Sequence, residues 1–286
     1  MSAGQSLTEL REQVREALDR ADEGALEIWS RSLAMDRRAG ARALAHRCAR
    51  RLRDLEAERE RLERLFALRA RLVAGGVRYV AGIDEVGVGP LAGPVVAAAV
   101  VLPERVDLPG LDDSKKLTPA ARERLDAAIR AQAVCWGIGE VEPAEIDRVN
   151  ILRASLEAMR RAVSALAPAP DHLLVDARRV PGVSTPQTPV VHGDALDGSI
   201  AAASIVAKVH RDAIMRSLDE RYPGYGLARH KGYPTPDHVA ALHRLGPCAI
   251  HRRSFAPVAA VEAGGIDRKR IVASASASAE RGSSER

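Results

Sequence analysis

Residues 94–102 read Pro-Val-Val-Ala-Ala-Ala-Val-Val-Leu, and Pro103 closes the run. The run carries no polar side chain and is β-branched near both ends, so no face of it can meet water. It is also far short of the roughly 18 residues that suggest a membrane span. A short apolar run of this kind is a strand buried on both faces. Such a strand needs a layer packed above it and another below, which directs the chain towards an α/β architecture. The surrounding pattern agrees. Strands are expected at residues 78–83, 134–141, 172–175 and 188–191, and helices at 143–166 and 199–221. A further helix opens at Thr235-Pro236-Asp237, with threonine as the N-cap and proline in the first helical position. Strands come first and then alternate with helices, so the expected fold is α/β: a mixed sheet flanked by helices, with a helical part at the C-terminal end.

Carboxylates follow three of the apolar runs directly. Asp84 and Glu85 follow Tyr79-Val-Ala-Gly-Ile, Asp176 follows Leu173-Leu-Val, and Asp194 follows Val190-Val-His-Gly. Strand ends are where open α/β sheets build their sites. Carboxylates gathered there repel and raise one another's pKa unless a cation lies among them. Mg²⁺ or Mn²⁺, hard and oxygen-liganded, suits such a cluster. Two such ions about 4 Å apart are a common device for in-line attack on a phosphodiester.

The turn Gly87-Val88-Gly89 comes next, and Pro90 and a strand follow it. A dinucleotide loop would instead lead into a helix, whose N-terminus would receive the pyrophosphate. Paired glycines still let backbone amides approach a ligand closely. Lysine is scarce: of 43 basic residues five are lysine, at 115, 116, 208, 231 and 269. Ser114 and Lys115 lie in Asp-Ser-Lys-Lys-Leu-Thr, which suits either phosphate contact or the start of a helix before Pro119. Ser204, Lys208 and Asp212 share one face of the helix expected from Ser199. Lys231 stands two residues before Tyr233, in a Gly/Pro loop where a tyrosine has little core to fill and is free to stack on a base or sugar. His251-Arg252-Arg253 is expected to be a basic surface or a phosphate contact. No His/Cys zinc spacing and no Gly-x-Ser-x-Gly elbow occurs.

Residues 1–75 have another texture, rich in Arg, Glu, Leu and Ala and free of proline. Leu52, Leu55, Leu62, Leu65 and Leu72 recur at helical spacing, and Gly75-Gly76 ends the region. One or more amphipathic helices are expected. Two readings of this region stay open: a solvated appendage packed on the main domain or on a second copy, or an auxiliary grip on nucleic acid. Residues 76–264 form the expected catalytic region. Residues 265–286 end in an alternating Ala/Ser run and are expected to be a disordered tail. Residues 1–75 hold 16 arginines against 13 acids, and the tail holds five basic residues against three acids. The net charge of +5 therefore lies wholly outside the catalytic region. With three cysteines at no framework spacing and no secretory signal, a cytoplasmic location is expected.

The sequence resembles the bacterial ribonuclease HII family over about residues 78–258. The stretches that carry the resemblance are AGIDEVGVGPLAGPVVAAAV at 81–100, LDDSKKL at 111–117, LVD at 174–176 and GD at 193–194. SIAAASIVAKVHRD at 199–212, HKGYPT at 230–235 and HRRSF at 251–255 continue them. The resemblance implies a ribonuclease H-like fold. It also implies an endonuclease that cuts the RNA strand of RNA–DNA hybrids and cuts 5′ to a single ribonucleotide in duplex DNA, in replication and ribonucleotide excision repair. Asp84, Glu85, Asp176 and Asp194 would be the catalytic ligands of two Mn²⁺ or Mg²⁺ ions, the second joining with substrate. Gly87, Val88, Gly89 and Tyr233 would read the ribose 2′-hydroxyl, Val88 standing where the family has arginine. Ser114, Lys115, Ser204, Lys208 and Lys231 would contact phosphate. The catalytic region is expected to act as a monomer, with no membrane and with an unassigned partner for the N-terminal helices. The competing readings are a ribonuclease HIII-like hybrid nuclease and a non-catalytic nucleic-acid-binding module.

Overall fold

A computed structural model describes residues 5–264; the tail expected to be disordered lies outside them. The chain forms two compact units that divide after Arg64. In the first, helices α1 (Leu7–Arg20), α2 (Glu23–Ala34) and α3 (Ala39–Leu65) enclose Leu10, Val14, Leu26, Leu33, Leu44 and Cys48. Ser6 and Glu9 form a capping box at the start of α1, and Asp22 caps α2. Ion pairs run along the outer faces at i,i+3 and i,i+4, among them Arg20–Glu16, Arg31–Glu27 and Arg64–Glu60.

The second unit opens with α4 (Ala67–Ala74), stopped at Gly75. It continues with β1 (Val80–Val86), β2 (Val95–Val101), α5 (Pro119–Gln132), β3 (Cys135–Val141), α6 (Pro143–Val149), α7 (Ile151–Ser164) and β4 (His172–Asp176). Then come β5 (Gln187–Val190), α8 (Gly193–Leu196), α9 (Gly198–Arg221), α10 (Leu227–His230), α11 (Pro236–Leu245) and α12 (Ala256–Glu262). The sheet runs β3-β2-β1-β4-β5. β1, β2 and β3 pair antiparallel, with α5 connecting β2 to β3, and β1, β4 and β5 pair parallel. This is the mixed sheet that the pattern implied.

β2 is buried at every position, as its apolar run required. Ala81, Ile83, Ala97, Ala99, Leu173 and Val175 face a core shared with Ala158, Met159 and Ala162 of α7. Val80 and Leu174 face the other way and pack with Ile200 of α9. Gly82 lies on that second face, and a Cβ there would come within 2.0 Å of the Ser199 backbone. Glycine is what lets α9 lie directly on β1. The helix expected over 143–166 is two helices. Asn150, at φ 72°, caps α7 through a bond from the Arg153 N–H and breaks the axis. Thr118 and Thr235 cap α5 and α11, each followed by proline. Of the two readings of residues 113–118, the helix start therefore holds for Thr118.

Candidate active site

The sheet register builds the site. Ile83 pairs with Val175 in the parallel β1–β4 ladder, so Asp84 and Asp176 are the next rung. The two-residue period of a strand puts both carboxylates on the face that α9 covers. Ligand oxygens of Asp84, Glu85 and Asp176 all lie within 4.8 Å of one another. At an effective dielectric of about 20, two unit charges at that distance repel by about 3 to 4 kcal/mol. The pKa directions report that crowding. Burial, then Glu85 and Asp176, hold Asp84 well above the carboxylate range. Burial, then Asp176, push Glu85 up to about 7. Asp176 is raised too, chiefly by burial.

The carboxylates are aimed as well as crowded. Asp84 Oδ1 accepts from the Glu85 N–H at 2.7 Å, and the Ser204 hydroxyl of α9 steadies the same carboxylate. Asp176 Oδ1 accepts from the Gly193 N–H at 2.7 Å. Glu85 Oε2 is buried with no hydrogen-bond partner. A buried carboxylate oxygen left without a donor, amid like charges, is the environment that a hard divalent cation satisfies, and the donor set is all oxygen. The residues therefore fit such an ion. Asp194, on α8, adds its charge to Asp84 and Asp176, and its Oδ2 accepts from Lys115 Nζ at 3.0 Å. Lys115 lends positive charge to Asp176 and Glu85, and Arg178 lends it to Glu85 as well. Ala177 and His192, both at left-handed φ (53° and 57°), stand beside Asp176 and just before Gly193-Asp194. Non-glycine residues in that region carry strain, which gathers at functional sites.

A second group of expected residues lies around the glycine turn. Gly87 has φ 93°, and a Cβ there would meet Arg211 Nε at 2.2 Å, so the position requires glycine twice over. A Cβ on Gly89 would lie 3.8 Å from Tyr233 Cε1, so the turn and the tyrosine face each other. Tyr233 and Val88 are both partly exposed. Three histidines underlie the tyrosine's loop. The Cys248 N–H donates to His251 Nδ1 (3.1 Å), so His251 donates from Nε2 to His238 Nε2 (3.2 Å). His238 in turn donates from Nδ1 to the Tyr233 carbonyl (3.0 Å). Likewise the Gly232 N–H donates to His230 Nδ1, and His230 Nε2 donates to the Tyr225 carbonyl. Burial holds His238 and His251 down to about 4.

The expected phosphate contacts fall in two places: Ser114, Lys115 and Ser204 border the carboxylates, and Lys208 and Lys231 both lie near Asp212. Ser114 and Ser204 are buried and bond each other at 2.9 Å. Lys208 pairs with Asp212 at 2.6 Å, and Lys231 donates to the Ala228 carbonyl. The expected basic surface at residues 251–253 is corrected. His251 and Arg252 are buried, because residues 250–252 run beside 91–93: the Gly93 N–H donates to the Ile250 carbonyl and the Arg252 N–H to the Leu91 carbonyl. Arg253 alone of the three is exposed. Arg211 carries no expected role and Arg252 only that of a surface or phosphate contact, yet both are wholly buried, and the sequence signal available for either is its place in a motif.

A family model described as Ribonuclease HII matches residues 81–258, and another described as Ribonuclease HII N-terminal domain matches residues 12–68. A curated protein named Ribonuclease HII from Moorella thermoacetica is 58% identical over 204 residues, covering 71% of this chain and 99% of the relative. One of the same name from an Anaeromyxobacter species is 55% identical over 227 residues, covering 79% and 72%. Among solved structures, ribonuclease H2 from Pyrococcus horikoshii OT3 superposes with a TM-score of 0.56 at 28% identity, over 64% of this chain and 97% of that one. A ribonuclease HIII solved with Mn²⁺, Bst-RNase HIII, shares the fold, with a TM-score of 0.52 at 21% identity over 65% of this chain and 69% of that one. No described helix is long and apolar enough to cross a membrane.

Proposed function

This chain belongs to the ribonuclease HII family, and on that premise we propose that it cuts the RNA strand of RNA–DNA hybrids and incises duplex DNA 5′ to a single embedded ribonucleotide. The products carry 3′-hydroxyl and 5′-phosphate ends. The observation that carries the reading is the Asp84–Glu85–Asp176 cluster, buried at Asp84 and half-buried at the other two, with its unpartnered Glu85 oxygen.

Asp84, Glu85, Asp176 and Asp194 are the residues that would hold two Mg²⁺ or Mn²⁺ ions, the second arriving with substrate. Divalent ions held there supply the positive charge that an attacking water and a departing 3′-oxygen both need in an in-line displacement. The protein's own part is placement. Gly193 fixes one oxygen of Asp176 and leaves the other to the site. Ser204 and the Glu85 N–H fix Asp84. Lys115 holds Asp194 beside them. The Gly87-Val88-Gly89 turn, facing Tyr233, reads the ribose 2′-hydroxyl, the group that tells RNA from DNA. The tyrosine ring stacks on the adjoining sugar. Residues 76–264 carry this activity, and residues 1–75 are its helical extension.

Asp176→Asn tests the reading. It removes one charge from the cluster while keeping the oxygen that Gly193 holds. Cleavage of a duplex with one ribonucleotide in Mg²⁺ should fall by at least about a hundredfold, on the scale of losing a charge-stabilising group. A variant as fast as wild type would sink the proposal.

A further inference from the structure

Arg211 and Arg252 are the two bulkiest wholly buried side chains, each at 0% exposure. Among the described residues neither guanidinium has a carboxylate within ion-pair distance; both meet backbone carbonyls. Burial, and then the charge of Arg211, push Arg252 down to about 9. Taking such cations out of water with no counter-ion is strongly unfavourable, and an apolar side chain of similar volume would spare the fold that penalty. Stability alone therefore does not account for them. What they hold does.

Arg252 donates to the carbonyls of Gly87 (2.7 Å), Val88 (3.1 Å) and Gly93 (3.0 Å). Arg211 donates to those of Pro94 (2.9 Å), Lys231 (3.0 Å) and Ala92 (3.1 Å), so it ties the strand entry to the tyrosine's loop. In a trans peptide the C=O and the following N–H point in opposite directions. With the Gly87 and Val88 carbonyls drawn inward onto Arg252, the N–H groups of Val88 and Gly89 point outward. Both residues are exposed, and neither amide has a partner among the described residues. Two successive free donors thus face the side on which Tyr233 stands, and the side chain at position 88 takes no part in presenting them.

We propose that Arg252 is a positioning residue for ribose recognition: by holding the Gly87 and Val88 carbonyls it presents the Val88 and Gly89 N–H groups to the 2′-hydroxyl oxygen of the substrate. The inference rests on the reading of this turn given under Proposed function. It makes recognition a backbone property with a buried cation behind it, which accounts for a valine being acceptable at position 88.

The test is a ratio of affinities. The full chain in an Asp176→Asn background, expected to cut at least about a hundredfold more slowly, is titrated with two duplexes differing by one 2′-hydroxyl. Arg252→Lys keeps the charge but offers one nitrogen in place of a three-point fork. It should bring the ratio of Kd for all-DNA to Kd for ribonucleotide-bearing duplex down by about tenfold or more, the scale of a lost hydrogen bond to a buried polar group. Kd for all-DNA duplex should stay within about twofold. A purely structural loss lowers the active fraction for both duplexes alike and leaves the ratio unmoved. A retained ratio in Arg252→Lys, with loss of it in Tyr233→Ala, would overturn the positioning role and leave the reading of the turn intact. A ratio of one in the Asp176→Asn parent would overturn that reading and this proposal together. If Arg252→Lys does not fold, the amide resonances of the ¹⁵N-labelled parent decide. Val88 and Gly89 should shift with the ribonucleotide duplex and stay put with the all-DNA one, and equal shifts with both would overturn the proposal.

Discussion

Glu85 shows how a single residue ties stability to chemistry. Its folded pKa of about 7 stands above the unfolded carboxylate value. The folded state therefore binds the extra proton, and ionised Glu85 destabilises the metal-free protein above pH 7 and not below about 4.5. Glu85→Gln should raise metal-free stability at pH 8 by about 1 to 3 kcal/mol in urea melts and change little at pH 4.5. Added Mg²⁺ should stabilise wild type more than the variant. A variant no more stable than wild type in EDTA would contradict this. The buried histidines run the other way. His238 and His251 have folded pKa values of about 4, below the unfolded value near 6.5. Their contribution is complete above pH 6.5 and is lost as pH falls towards 4. His238→Asn has no such proton to take up, so between pH 6.5 and 4 it should lose about 2 to 3 kcal/mol less than wild type. The close group of Asp84, Glu85 and Asp176 was legible in the sequence because its signal is local, an apolar strand followed at once by acid, whereas Asp194 lies on α8 and outside that group. Arg252 was not legible. A sequence records its charge, whereas its burial follows from residues 250–252 lying beside 91–93, a pairing across more than 150 positions.

At the scale of elements, close approach and capping decide where the side chains point. Gly82 brings α9 onto β1, and α9 carries Ser204 to Asp84 and Arg211 to the glycine turn. Gly82→Ala would drive a methyl group into the Ser199 backbone, which a flexible side chain cannot relieve. It should cost about 3 kcal/mol in chemical denaturation and weaken activity in proportion to the displacement of α9. An unchanged midpoint would show that the helix can slide. The helix starts at Thr118-Pro119 and Thr235-Pro236 were readable because a cap is a two-residue signal. The break at Asn150 was not readable, since the apolar spacing continues through it from α6 into α7 and the break lies in one backbone angle.

Over the whole molecule, charge is partitioned as the chain is. Residues 76–264 carry 22 basic and 22 acidic residues, and the excess of positive charge lies on either side of them. With a neutral average and a knot of carboxylates at its sheet ends, this region gains affinity for a polyanion when divalent ions offset the knot. At fixed ionic strength, removing divalent ions with EDTA should therefore weaken duplex binding severalfold, and Asp84→Asn should blunt the difference. Equal affinity with and without ions would place the attraction elsewhere. The mixed sheet was readable because a strand buried on both faces admits few architectures, while the strand order required the long-range register. The central claim is that this carboxylate cluster cuts at a ribonucleotide. The most direct measurement is product mapping on an end-labelled duplex with one ribonucleotide, in Mg²⁺, in Mn²⁺ and in EDTA. The account predicts a single incision 5′ to that ribonucleotide with a 3′-hydroxyl end, in either ion and not in EDTA. Cleavage in EDTA, cuts in the all-DNA duplex, or no product in either ion would contradict it.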